Sequence, residues 1–532
     1  MDTKALRQKI LDLAIRGKLV PQDPNDEPAS VLLERIRAEK QQMVKDGKLK
    51  PKDIKNDTII FVGEDNLHYE KFQDGSVKCI EDEIPFELPE GWEWCRVRDI
   101  AAVKGGKRLP KGVGFSPCRT AHAYIRVTDM KNHSINTDDL KYISEEVFLQ
   151  IKNYTISKDD LYVTIAGTIG VTGEVPTELD GMNLTENAVK ITNIQINKTY
   201  LCLIIQSEFV QQQFQDKTHQ VAMPKLALER ILSTLIPVCT ITTQSAMVSK
   251  FVEMDSLINQ IREEKEILAE TVSLTKSKIL DLAIRGKLVP QNPDDEPASV
   301  LLERIRAEKE ELIKQGKIKR DKKESVIFKG EDNSYYEKVG KVIKNIDDEI
   351  PFTIPDSWKW CRLKAICKKI VDGSHNPPKG LDFVTPYIMA SSRNIIENTI
   401  SDLSNVRYLN KENFIKEHSR TNVEINDILL TTVATLGRSC IYKGKPENLC
   451  FQRSVTVITS CILPTYLKLF FDAPYFQNFI VKSATGTAQK GFYLNQLENV
   501  LICIPPLAEQ DKISCGISSI FYYLDLIEKS LN

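Results

Sequence analysis

Between residues 247 and 282 apolar side chains recur in steps of four and three, at Met247, Phe251, Met254, Ile258, Ile261, Leu268, Val272, Ile279 and Leu282. Lys265 and Thr275 occupy the remaining seam positions as polar breaks, so the pattern is an a/d stripe of five heptads and predicts one long coiled-coil helix. Gly286 is placed to end that helix, and Pro290 and Pro293 keep it from resuming until Pro297-Ala298-Ser299 opens a shorter helix towards Gly316. The same punctuation stands near the N-terminus, at Gly17, Pro21, Pro24 and Pro28-Ala29-Ser30. A second seam runs through Ile513, Ile517, Ile520, Leu524, Ile527 and Leu531. Elsewhere the pattern changes period: short β-rich runs such as 160–169 and 454–459 lie between Gly, Pro, Asn and Asp turns, and predict mixed domains with a strongly twisted sheet or half-barrel.

The chain also repeats itself. Residues 10–40 and 279–309 are identical at 29 of 31 positions, the exceptions being Asp23/Asn292 and Asn25/Asp294. Weaker echoes follow in order, ending with Trp92-Glu93-Trp94-Cys95-Arg96 and Trp358-Lys359-Trp360-Cys361-Arg362, which lie 266 residues apart in a chain of 532. Two copies are too few for a solenoid, so the chain reads as two homologous halves. After each Trp-x-Trp-Cys-Arg the halves share a skeleton but little identity. Tyr124-Ile125 sits like Tyr387-Ile388, 161–170 resembles 428–437, and 222–225 resembles 488–491. If Met1 is placed directly after Asn532, the repeat continues without a gap, and Thr3 to Leu13 becomes the continuation of the C-terminal helix.

These patterns predict an α+β protein with two variable domains carrying twisted β-sheets, separated by two long antiparallel coiled-coil helices in a pseudo-twofold, pseudo-cyclic arrangement whose termini meet. The expected boundaries are a conserved segment over 1–50, a linker over 51–90, a first variable domain over 91–240 and a central conserved segment over 241–316. A linker over 317–356, a second variable domain over 357–506 and a C-terminal conserved helix over 507–532 complete the chain.

Composition narrows the chemistry. Hydrophobic residues at 42% and charged residues at 27% are ordinary globular values, and 72 Lys+Arg against 73 Asp+Glu leaves a net charge of −1, so any basic patch is local. The twelve cysteines include no C-x-x-C pair and the N-terminus lacks a signal-peptide core, which points to reduced thiols and a cytoplasmic protein without a structural metal. Apolar runs fall short of the ~18 residues that would span a bilayer. No G-x-x-x-x-G-K-[ST], H-E-x-x-H or G-x-S-x-G motif is present, so no catalytic residue is assigned.

Two variable domains, two near-identical segments and the stretch Ile504-Pro505-Pro506-Leu507-Ala508-Glu509-Gln510 together resemble the specificity subunit of a type I restriction–modification enzyme. The first half has Pro237 to Gln244 where a second copy of that stretch would stand. The resemblance implies a noncatalytic subunit whose two target-recognition domains each read half of a bipartite, asymmetric double-stranded DNA sequence. It also implies docking to two modification (methyltransferase) subunits and to restriction subunits, with S-adenosylmethionine, ATP and Mg used by those partners and no cofactor held in this chain. The five-heptad stretch, at ~1.5 Å per residue, is roughly 50 Å or about 15 base pairs, and suits a ruler between half-sites. A stand-alone bipartite DNA-binding adaptor is the alternative, and a self-contained methyltransferase or nuclease a weaker one.

Candidate DNA contacts follow from residue chemistry. In the first domain Lys104, Lys107, Arg108 and Lys111 surround a glycine loop at 104–112, and a bare surface turn is the bland reading. Its counterpart, 372–380, offers Ser374, His375 and Lys379. Asn376-Pro377-Pro378 is similar to an adenine-methyltransferase motif, but Lys379 stands where an aromatic would stack on a flipped base, so that reading is rejected. Arg126 and Lys131, and Ser392 and Arg393 in the parallel 391–394 stretch, follow strands and are expected to present polar ends to bases. Gln489 and Lys490, with Lys225 as the approximate equivalent, would contact adenine and phosphate. Trp92, Trp94, Trp358 and Trp360 belong to the constant frame and are assigned to packing. The Leu32–Lys40 helix and its copy at Leu301 are candidates for subunit docking.

Overall fold

The computed structural model describes residues 2–216, 226–321, 324–485 and 490–531. It divides into two compact units, Met1–Glu264 and Lys265–Asn532, each with its own core. Met1 and Asn532, expected to meet in a pseudo-cyclic arrangement, lie outside the described residues.

The first unit opens with the helix Thr3–Ile15, whose free amides are capped by the Asp2 side chain accepting from the Lys4 and Ala5 N–H groups. The chain leaves this helix at Gly17 in the left-handed region (φ +66°), where a Cβ would lie 2.5 Å from Pro89. The short helix Ala29–Lys45 buries Ala29, Leu32 and Ile36, a stripe at helical spacing, and exposes Glu34, Arg35 and Glu39. Residues 51–90, expected as a linker, are folded: Ile59–Val62, His68–Lys71 and Val77–Cys79 form an antiparallel meander. A buried guanidinium pins it down. Arg96 grips Glu70 through Nε (3.1 Å) and Nη2 (2.9 Å), reaches Glu83 (2.8 Å) and donates through Nη1 to the Ser233 carbonyl (3.0 Å).

The variable domain of this unit holds two four-stranded sheets rather than one. One is antiparallel, in the order Thr172–Glu174, Leu161–Thr164, Ala188–Thr192, Ala102–Gly105. In the other, Met182–Leu184 runs parallel to His122–Ile125, and Thr155–Ile156 and Lys141–Ile143 flank the pair. Leu161–Thr164 is buried at every position, which explains why its run is apolar up to Thr164 instead of alternating.

The second unit repeats the plan. The meander Ser325–Lys329, Tyr335–Val339, Val342–Asn345 occupies the expected 317–356 linker and is held by Arg362 on Glu337 and Glu349. Cys367–Asp372, Val455–Ser460, Ile428–Thr431 and Ser439–Ile441 form the antiparallel sheet. Ile388–Ala390 runs parallel to Leu449–Phe451, with Arg407–Tyr408 on its other side.

The predicted long helix is Ile241–Ile284, 44 residues. In the first unit its start packs on Thr3–Ile15: Phe251 and Ile258 share a buried cluster with Ile10 and Leu11, and Arg7 Nε meets Asp255 at 2.8 Å. Asp26, beyond the first helix, accepts from Thr240 and Thr243 at the start of the long one, so the two run antiparallel. In the second unit its end packs on Leu507–Leu531. Cys503 Sγ donates to the Ile284 carbonyl (3.0 Å) while Lys276 pairs with Asp525 (2.6 Å) and Glu528 (2.7 Å), again antiparallel. Met247, Phe251, Ile258 and Val272 of the seam are buried, whereas Leu268 is 41% exposed. The C-terminal seam is buried only at Ile513 and Ile517.

The helix entry that lacks the Pro-Pro-Leu-Ala-Glu-Gln stretch is built the same way as the one that has it. Gln244 donates to the Cys239 carbonyl and accepts from the Asn197 N–H, as Gln510 does with the Pro505 carbonyl and the Leu463 N–H. Both glutamines are fully buried.

Candidate nucleic-acid interface

Each glycine loop leaves the edge strand of its antiparallel sheet and presses on the turn that connects the two sheets. In the first domain the Gly106 N–H donates to the Ala188 carbonyl (3.1 Å) and the Lys107 N–H to the Leu184 carbonyl (2.9 Å). In the second the Gly373 N–H donates to Val455 (3.0 Å) and the Ser374 N–H to Phe451 (2.7 Å). A Cβ at Gly106 would lie 2.0 Å from the Thr185 carbonyl oxygen, and one at Gly373 would lie 2.3 Å from that of Gln452, so only glycine fits at either place. The loops are therefore the same device on the same frame, with different side chains.

In the first domain Lys107, Arg108 and Lys111 are exposed on the loop. Lys107 lies over the Tyr154 ring at 5.4 Å, and its carbonyl accepts from the Tyr124 hydroxyl (2.7 Å). Burial pushes the Tyr124 phenol up to about 12, so it stays a donor at neutral pH. Arg108 Nε donates to Glu186 Oε1 at 2.6 Å. Burial alone would raise the Glu186 carboxyl, but the Arg108 hydrogen bond and charge overcome it and hold the group below its ordinary range. Lys104 is not with them: it lines a cleft of about 590 Å³ beside Arg98, Asn193 and Gln195. Lys131 is exposed. Arg126 is half-buried and committed internally, to buried Asp129 through Nε (3.1 Å) and Nη2 (2.5 Å) and to the Asp139 carbonyl (2.7 Å). Its expected role as a base contact is corrected to that of a brace. Lys225 lies outside the described residues.

In the second domain His375 and Lys379 are exposed on the loop, and His375 Nε2 is 3.6 Å from Asp372 Oδ2. Ser374 (5% exposed) and Ser392 (4% exposed) are buried, so the expectation that their hydroxyls meet DNA is corrected. Arg393 is exposed, as is Lys490, while Gln489 lies outside the described residues. The four tryptophans are buried; Trp92 donates to Gln22 (2.8 Å) and Trp358 to Glu509 (2.9 Å), both packing roles.

Backbone pairing also revises the correspondence between the halves. The Thr185 N–H donates to Ile125 as the Gln452 N–H donates to Ala390, and Asp129 accepts from the Arg126 N–H as Asn394 does from the Ser391 N–H. Ile125 therefore matches Ala390 and Arg126 matches Ser391, two residues away from the match of Tyr124-Ile125 with Tyr387-Ile388 that the sequence suggests. A slip of two leaves every side chain on its original face, so the alternation of apolar and polar residues could not reveal it. The same pairing brings out Glu186 and Arg453, which no motif marked because each is a lone charge in a turn.

Residues 89–270 and 355–532 match the family model described as the type I restriction modification DNA specificity domain. The chain belongs to this family. As a member of the type I specificity family with two such domains, it is 27% identical over 592 residues to the type I restriction enzyme EcoEI specificity subunit of Escherichia coli, covering 99% of this chain and 90% of that one. The EcoAI specificity subunit of Escherichia coli is likewise 27% identical over 584 residues, covering 96% and 87%. A chain from a solved structure concerned with complex assembly and conformational transition of the type I R-M system superposes with a TM-score of 0.53 at 14% identity, covering 84% of this chain and 94% of that one, which shows the shared fold. Among the described residues no helix is long and apolar enough to cross a membrane.

Proposed function

We propose that this chain is the noncatalytic DNA-recognition and scaffold subunit of a type I restriction–modification enzyme, and that its two specificity domains read the two halves of one split, asymmetric target. The observation that carries this reading is the pair of glycine loops, bonded to their turns through the same two backbone N–H groups yet offering Lys107 and Arg108 in one domain where the other has Ser374 and His375. A reader needs that combination, because base-edge contacts must differ between half-sites while the frame that aims them must not. Unlike readers imply unlike half-sites. The duplicated helices Ala29–Lys45 and Ala298–Lys314, with the same buried stripe and the same exposed charges, supply two similar docking faces. Two methyltransferase subunits would occupy them, one for each strand of the target, and restriction subunits would join that core. S-adenosylmethionine, ATP and Mg belong to those partners.

Methylome sequencing of a methyltransferase-proficient host with and without this chain tests the reading. One split, asymmetric modified motif that appears only with the chain is the expected result. Modification that does not depend on the chain would leave a DNA-binding adaptor with other partners as the better account.

A further inference from the structure

Five backbone hydrogen bonds superimpose the turn 185–188 on the turn 452–455. In order they run Thr185 N–H to Ile125, Ala188 N–H to Thr185, Gly106 N–H to Ala188, Lys107 N–H to Leu184 and Ile165 N–H to Asn187. Their matches are Gln452 to Ala390, Val455 to Gln452, Gly373 to Val455, Ser374 to Phe451, and Thr432 to Ser454. Position 186 in the first domain is thus position 453 in the second, and 107 and 108 are 374 and 375. At these matched places the charges are exchanged. The first domain has Lys107 and Arg108 on the loop and Glu186 on the turn; the second has Ser374 and His375 on the loop and Arg453 on the turn.

We propose that this turn position determines specificity in both domains, with Arg453 reading a guanine in the second half-site and Glu186 positioning Arg108 to do the corresponding work in the first. The inference rests on the DNA-reading function above. Arg453 is exposed, and its side chain makes no hydrogen bond or ion pair among the described residues, while its backbone N–H is fixed to the Ser374 carbonyl at 2.8 Å. A guanidinium on a rigid stem with unused donors suits bidentate contact with guanine O6 and N7. Arg393 is on the adjoining turn, since the Ser392 N–H donates to Ser454 Oγ at 3.0 Å, so the second domain gathers two guanidinia where the first has Thr128 and Glu186. In the first domain the loop arginine is 78% exposed and needs an anchor, which Glu186 provides from a site only 23% exposed.

The test uses the full chain assembled with its methyltransferase and a duplex library randomised at both half-sites. For Arg453→Ala and Arg453→Lys, preference should relax at one base pair of the second half-site, with methylation of the original site falling about 10- to 100-fold and the first half-site unchanged. Glu186→Gln should relax one position of the first half-site alone, and Glu186→Asp should retain most of the preference. Equal weakening on all sequences would assign Arg453 to phosphate and overturn the inference, as would an unchanged motif. If the unaltered chain directs no split motif at all, the DNA-reading function fails and the inference with it; a motif that the variants leave untouched refutes the inference alone. Co-purification of each variant with the methyltransferase shows that it folds.

Discussion

Replacing Arg96 with Met should loosen the first meander far more than any surface change. Arg96 is 4% and Glu70 5% exposed, and the guanidinium meets two carboxylates and a carbonyl in four contacts of 2.8 to 3.1 Å. Methionine restores most of the volume but leaves the Glu70 charge buried without its partner. Removing one member of such a buried pair costs about 3–5 kcal/mol. Because the chain has two compact units, a single unfolding transition is a poor readout. Amide hydrogen exchange over His68–Lys71 and Glu93–Arg96 reads the site directly, and the penalty corresponds to opening that is roughly 10²- to 10⁴-fold more frequent. The double change Arg96→Met with Glu70→Leu should recover much of the loss, because no charge is then stranded. Arg362→Met should act in the same direction in the second half but less strongly, since the Arg362 and Glu337 side chains are 11% and 13% exposed against 5% and 7% for those of Arg96 and Glu70. Exchange accelerated less than about fivefold in Arg96→Met, or a double variant worse than the single, would refute the stranded-charge argument.

Asp99 gives a pH prediction. Burial pushes its carboxyl from 3.8 up to about 6, outweighing the backbone bonds it accepts from Thr58 and Arg96. With the folded value above the unfolded one, the first half loses stability as pH rises from about 4 to 6, by up to roughly 3 kcal/mol, and changes little above that. Asp99→Asn should flatten the dependence in amide-exchange protection over Glu93–Arg96 at pH 4.5 and 6.5, referenced to intrinsic exchange rates; the same slope in both proteins would show that Asp99 is not its source. At the matching position 365 the second half has Ala, which has no carboxyl to titrate. Deleting seven residues within 262–271, a stretch without a buried residue, keeps the heptad register and removes ~10 Å of helix. The modified motif should keep both half-sites and shorten its spacer by up to about three base pairs, whereas an unchanged spacer would dispose of the ruler.

The sequence by itself determined the doubling, the α+β class, the long helix and the constant frame, since each is carried by a period or a repeat that does not depend on the rest of the fold. Heptads need only helix geometry, and 29 identical positions in 31 need no structure at all. Gly106 and Gly373 were visible as loop glycines, but their necessity arises from carbonyls 79 residues away in sequence, at Thr185 and Gln452. Which cations remain available was decided by tertiary contacts. Arg126 is held by Asp129, three residues on, and by the more distant Asp139, Ser374 and Ser392 are buried, and Arg453 is left open; only the Arg126–Asp129 pair is local in sequence. The meanders at 59–79 and 325–345 look like linkers because their strands are short and leave apolar residues such as Val62, Val77, Val342 and Ile343 exposed, so no buried face shows in the pattern, and it is the distant Arg96 and Arg362 that hold them. Strand register was beyond reach for the same reason: a shift of two residues preserves every inward and outward face, and only hydrogen bonds between strands remote in sequence can tell the two apart.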